Sequence, residues 1–153
     1  MSRFGPLEAH GSTLVLGDAG GHHAELTASA LVIREYQKQP LSLDWSRVES
    51  VTLWVPQTRF RLPGLGTTIV LGVLGSLFDG WNVAEDIQDG TLTVSIAGAD
   101  PMVMPITRHH VGGYWIKSVR AASALLTRLV ADPASRQLLN SPERVVQLLA
   151  SGR

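Results

Sequence analysis

The chain has 153 residues, 44% hydrophobic and 17% charged, which suits a single core without staples and argues against disorder. Thirteen basic residues balance thirteen acidic ones. No overall field therefore draws the chain to nucleic acid or to an anionic surface, and little repulsion opposes self-association.

No cysteine is present, which removes disulfides, thiolate nucleophiles and zinc–sulfur sites together. The opening residues Met1-Ser2-Arg3-Phe4-Gly5-Pro6 lack the apolar core of a secretory signal, so a cytoplasmic protein is expected.

The first expected strand is Ser12–Leu16, ended by the turn-rich stretch Gly17–Gly21. His22–Thr27 is the second, and the β-branched run Leu31–Glu35 the third. Tyr36–Pro40 is a polar turn. Leu41-Ser42-Leu43-Asp44-Trp45 then alternates, placing Leu41, Leu43 and Trp45 on one face. Val48–Val55 alternates again, with Val51, Leu53 and Val55 opposed by Thr52 and Trp54. Short antiparallel strands are unstable as an isolated ribbon, so a partner layer is required. Trp54, Trp81 and Trp115 are assigned to the core or its rim. Trp54 is expected to be the most exposed of them, because it shares a face with Thr52.

Leu62–Phe78 carries no charge but holds Pro63, Gly64, Gly66, Gly72 and Gly75. It falls short of the roughly 20 apolar residues of a membrane-spanning helix. A buried strand at about Thr67–Leu74 is expected. The alternative is an exposed apolar element that docks on a membrane or a sister subunit. Asp79–Gly90 is an acidic connector in which Glu85, Asp86 and Asp89 do not meet the spacing of a calcium loop.

Thr91–Ile96 and Met102–Ile106 form a hairpin across the turn Gly98-Ala99-Asp100-Pro101. The period then changes. From Val111 to Ala131, residues Trp115, Val119, Ala122, Leu126 and Leu129 make one helical stripe, opposed by Lys117, Arg120 and Arg128. Gly112-Gly113 moves the expected start toward Tyr114. Asp132-Pro133 and Ser141-Pro142-Glu143 each start a short helix, the last with Val145, Leu148 and Leu149 on its apolar side.

Seven or so short strands followed by one amphipathic helix resembles the pleckstrin-homology (PH) superfold. The run Leu41-Ser42-Leu43-Asp44-Trp45-Ser46-Arg47-Val48-Glu49-Ser50-Val51, preceded by Leu31-Val32-Ile33, is similar to the early hairpin of bacterial PH-like domains. The resemblance covers about Leu14–Val130, without Leu62–Phe78 or the helices after Ala131. It implies an α+β domain in which a curved antiparallel sheet or open β-barrel of about seven strands is closed by the C-terminal helix. One domain over residues 1–153 is expected: a β-rich part at 12–106, a capping helix at 111–131 and a helical appendage at 132–150. The resemblance also implies binding rather than catalysis. The turn Tyr36-Gln37-Lys38-Gln39 offers only Lys38, with Arg34 nearby, and does not support inositol-phosphate recognition.

His22-His23 and His109-His110 attract attention as metal ligands. Neighbouring strand side chains point to opposite faces, so each pair gives at most one imidazole to a shared site. All four are expected at the surface, at strand or helix ends, with no metal and no cofactor. Neither a dinucleotide fingerprint, a P-loop nor a Gly-x-Ser-x-Gly elbow occurs, so no catalytic residue is assigned. The expected binding residues are Trp54, Arg59, Phe60, Arg61, Leu65, Leu71, Leu74 and Phe78. The favoured function is a scaffold that binds a protein partner or itself as a homo-oligomer, and not nucleic acid. The first alternative is peripheral membrane attachment, with Arg59 and Arg61 on anionic headgroups and the apolar segment 62–78 in the interface. The second is a small-molecule-binding barrel or an enzyme.

Overall fold

The computed structural model describes residues 2–59, 89–110 and 112–152. The expected strand at Thr67–Leu74 lies outside them.

The chain opens with a six-stranded antiparallel meander: β1 (Ser2–Phe4), β2 (Leu7–His10), β3 (Thr13–Gly17), β4 (His23–Leu26), β5 (Ala30–Arg34) and β6 (Leu41–Asp44). The sheet begins before the expected first strand at Ser12, with β1 and β2. β1 is three residues long, and β2 buries an acid, Glu8, between Leu7 and Ala9. Neither segment shows the alternation of a half-buried strand.

The turn between β1 and β2 is made by Gly5-Pro6, with Gly5 at φ +59°. A methyl group on Gly5 would also lie 2.2 Å from Ser118 Oγ, so the turn sits directly on the first turn of the C-terminal helix. Both the positive φ and the close approach require glycine.

After β6 the chain turns a corner through a single 3-10 turn, Trp45–Arg47, where Asp44 accepts from the Ser46 amide. Trp45 is therefore at a corner and not in a strand, as alternation had placed it. Its side chain is 1% exposed, its indole N–H donates to Thr27 O at 2.8 Å, and the Arg136 guanidinium lies 5.7 Å from its ring centre. Leu43 is buried with it. Leu41, expected on the same face, is exposed.

β7 (Val48–Trp54), β9 (Gly90–Ile96) and β10 (Met102–Ile106) form a three-stranded sheet in the order β10-β9-β7. β8 (Gln57–Thr58) and β11 (Tyr114–Trp115) pair in parallel. The β9–β10 hairpin and the β7 alternation match the sequence reading. Rows Val51–Val94–Met102 and Leu53–Leu92–Met104 face inward. The fold class is α+β, with sheets of six, three and two strands and helices at the C-terminal end, and no closed barrel among the described residues.

The end of the three-stranded sheet is fastened to the larger one. Thr107 donates its N–H to His22 O and accepts from the Asp18 amide, while its Oγ1 accepts from the His22 amide. Gly21 leaves the room for this, since a methyl group there would lie 2.6 Å from Thr107 Oγ1.

Helix α1 (Ile116–Ala131) packs chiefly on β7, burying Val119, Ala122, Leu125, Leu126 and Leu129. The expected stripe holds except for Trp115. That residue precedes the helix in β11, is partly buried, and meets Phe4 edge-to-face at 6.5 Å. Asp132 accepts from the Ala134 amide and starts a 3-10 segment at Pro133–Asn140, as cap-then-proline demands. From that segment Arg136 donates to Leu129 O and Val130 O, satisfying carbonyls at the end of α1. Helix α2 (Pro142–Ser151) packs on β1 and β2. It buries Val145 and Val146, whereas Leu148, expected on the apolar side, is exposed.

Burying each large side chain of the α1 stripe stabilises the fold by about 1.5–3 kcal/mol. Leu126→Ala is expected to cost about 2–5 kcal/mol in urea unfolding, because Leu126 is fully enclosed. An unchanged midpoint would put α1 on the wrong face.

Candidate functional site

Two features of the described residues carry chemistry, one exposed and one enclosed. The exposed one is the outward face of the three-stranded sheet. Strand register stacks its side chains in rows: Ser50–Ser95, Thr52–Thr93–Val103 and Trp54–Thr91–Pro105. None of these residues is charged. Trp54 is 50% exposed and Val103 69%, and Pro105 stands in the open on the edge strand. Pro105 has no N–H to offer, which limits pairing along that edge. An indole, a branched aliphatic group and a row of hydroxyls suit a protein surface that is apolar with scattered hydrogen-bonding groups.

Of the expected binding residues, the structure describes Trp54 and Arg59. Trp54 is exposed, as its register with Thr52 required. Arg59 is exposed just beyond β8. Phe60, Arg61, Leu65, Leu71, Leu74 and Phe78 lie outside the described residues. Val103, Thr93 and Pro105 join Trp54 on the face and were missed. The available signal was the polar half of the β9–β10 alternation, whose outward residues are threonines, serine, valine and proline rather than charges.

The enclosed feature is a chain of ionisable groups. His109 Nε2 lies 2.9 Å from Glu8 Oε2, and His109 Nδ1 lies 2.8 Å from the Tyr114 hydroxyl. The Tyr114 oxygen also accepts from the His109 backbone N–H at 3.1 Å, and Arg3 donates to Glu8 Oε2 at 2.9 Å. The donor sense follows from the groups themselves. An ionised carboxylate only accepts, so Nε2–H donates to Glu8, and Nδ1 is left to accept the Tyr114 proton. Every member is satisfied with His109 neutral.

This corrects the placement of the histidines at the surface. The His109 side chain is 1% exposed, and His23 is also buried, its Nδ1–H donating to Gly21 O. His110 is exposed and packs on the Tyr114 ring at 5.2 Å. His22 accepts from the Tyr36 amide. No group of three or more metal-ligating side chains occurs among the described residues.

Burial, and then the Arg3 guanidinium, hold the His109 imidazole below its ordinary range, while Glu8 pulls the other way. Burial pushes the Tyr114 phenol above its ordinary value against the His109 N–H. A carboxylate–imidazole–hydroxyl order resembles a nucleophile triad in its polarity, but Tyr114 is 2% exposed. A substrate would have no access to its oxygen.

Comparison with protein-family models, curated proteins and solved structures finds no match to this chain. No helix among the described residues is long and apolar enough to cross a membrane.

Tyr114→Phe removes the hydroxyl and leaves His109 Nδ1 and the His109 N–H without their shared partner. A loss of about 1–3 kcal/mol in urea unfolding at neutral pH is expected. Stability equal to wild type would show that the hydroxyl does not serve both groups.

Proposed function

We propose that the chain is a non-catalytic, PH-like binding or scaffolding module of the cytoplasm. Its outward β7–β9–β10 face docks a protein, with a second copy of the chain as the partner. The observation that carries this reading is a face of hydroxyl and apolar side chains with Trp54 half-exposed on one edge strand and Val103 exposed on the other; Glu49, exposed at the bulge where β7 begins, is the one charged residue in these three strands. The chain's zero net charge adds no long-range repulsion between copies. Tryptophan is among the side chains that contribute most when desolvated in such a contact.

The PH-like reading is supported by element order. Of the eleven strands that precede α1 among the described residues, seven, β3 to β7 with β9 and β10, match the expected order, and the amphipathic α1 packs on β7. The Thr107 hydrogen bonds to His22 and Asp18 support reading the two larger sheets as an open barrel fastened at one corner. Enclosure of the Glu8–His109–Tyr114 chain supports binding over turnover.

Light scattering on a size-exclusion column, run over a concentration series, tests the reading. The wild type is expected to rise from the mass of one chain toward two. Trp54→Lys is expected to hold it at one, with an unchanged circular dichroism spectrum. A wild type that stays at the mass of one chain throughout contradicts self-association.

A further inference from the structure

The Glu8–His109–Tyr114 chain joins three separate parts of the fold. Glu8 belongs to β2, His109 to the connection after β10, and Tyr114 to β11 at the entrance to α1. Two further contacts cross the same seam: Phe4 against Trp115, and the Gly5 turn against Ser118. The first hairpin thus holds the start of α1, and the hydrogen-bonded chain is the polar part of that hold.

Its weakness lies in the donor sense. One added proton on His109 turns Nδ1 from acceptor into donor. Tyr114 O–H then loses its acceptor inside an enclosed site, and the phenol oxygen faces two N–H groups at once.

The geometry points to a proton-operated latch: protonation of His109 frees His109 and β11, and with them the entrance to α1, from the β1–β2 hairpin. The charged and titratable groups around the imidazole set the balance. Arg3 from β1 opposes a second cation, and Glu8 from β2 favours it. Asp18, following β3, also favours it, more weakly. His10 of β2 stands 3.9 Å from the other Glu8 oxygen. Arg108 and His110 flank the ring in sequence, and Tyr114 of β11 contributes a neutral phenol. Burial leads these effects and keeps the imidazole neutral at pH 7.

The sign follows from linkage. The latched form has the lower His109 pKa, so the unlatched form takes up the proton first as pH falls. The latch is fully held above the ordinary imidazole value of about 6.5, weakens as pH falls from there toward the lower latched value, and weakens no further once the latched imidazole is itself protonated.

The test is hydrogen exchange of the His109 and Tyr114 amides in the full chain, corrected for intrinsic rates, between about pH 7.5 and about pH 5. The first amide bonds to the Tyr114 oxygen and the second to Pro56 O. Wild-type opening is expected to rise by up to about tenfold per pH unit below 6.5, levelling off once latched His109 itself titrates. His109→Gln offers an amide N–H to Glu8 and a carbonyl to Tyr114 without titrating, and is expected to flatten the profile. A second variant, Glu8→Gln, removes the anion that favours the proton, and is expected to move the midpoint to lower pH. A wild type without pH dependence overturns the latch. So does a His109→Gln profile like that of the wild type, or a Glu8→Gln midpoint that does not move. If His109→Gln fails to fold, the wild-type rise in opening must level off at the pH where NMR shows the latched His109 ring titrating; a rise that continues unchanged through that titration overturns the latch equally.

Discussion

Two small sheets each have one apolar face, and neither can bury it alone; the whole structure depends on their sharing one core. β6 runs into β7 through the Trp45 corner, so the inner face of one sheet continues into that of the other. Helix α1 then covers β7, and Arg136 ties the end of that helix back across the Trp45 ring. The packing of α1 on β7 and of Arg136 on Trp45 joins segments distant in sequence. The entropy of bringing them together is offset only when all are made, which is the physical basis of a cooperative fold.

That shared core leaves two surfaces with different fates. The outward rows of β7, β9 and β10 leave Trp54, Val103 and Pro105 exposed among hydroxyl side chains. At the other side the first hairpin and the entrance to α1 close over Glu8, His109 and Tyr114. A buried carboxylate and imidazole are tolerated there because each has a partner of the correct donor sense. The same completeness makes the chain sensitive to a single proton. Rigidity in this seam and sensitivity to acid have one origin.

Much of the fold was legible in sequence because it rests on period. The β9–β10 hairpin alternates, the α1 stripe recurs every three or four residues, and both Asp132-Pro133 and Ser141-Pro142 punctuate as expected. Elements that broke period were lost. β2 hides an acid among apolar residues, and Trp45 and Trp115 leave the pattern at a corner and a strand end. In α2, Val146 is buried and Leu148 exposed, a rotation that a narrow stripe could not fix. Of the candidate site, Trp54 was legible from its register with Thr52. His109 was not: its partners Glu8 and Tyr114 lie 101 and 5 residues away, and only the fold brings them to one point.

The claim of one shared core is tested most directly by residue-resolved unfolding. NMR signals of Leu14 in β3, Val94 in β9 and Leu126 in α1 can be followed through one urea titration at neutral pH. The account predicts a single midpoint for all three. Loss of the Leu126 signal at clearly lower urea, with Leu14 and Val94 intact, would contradict it.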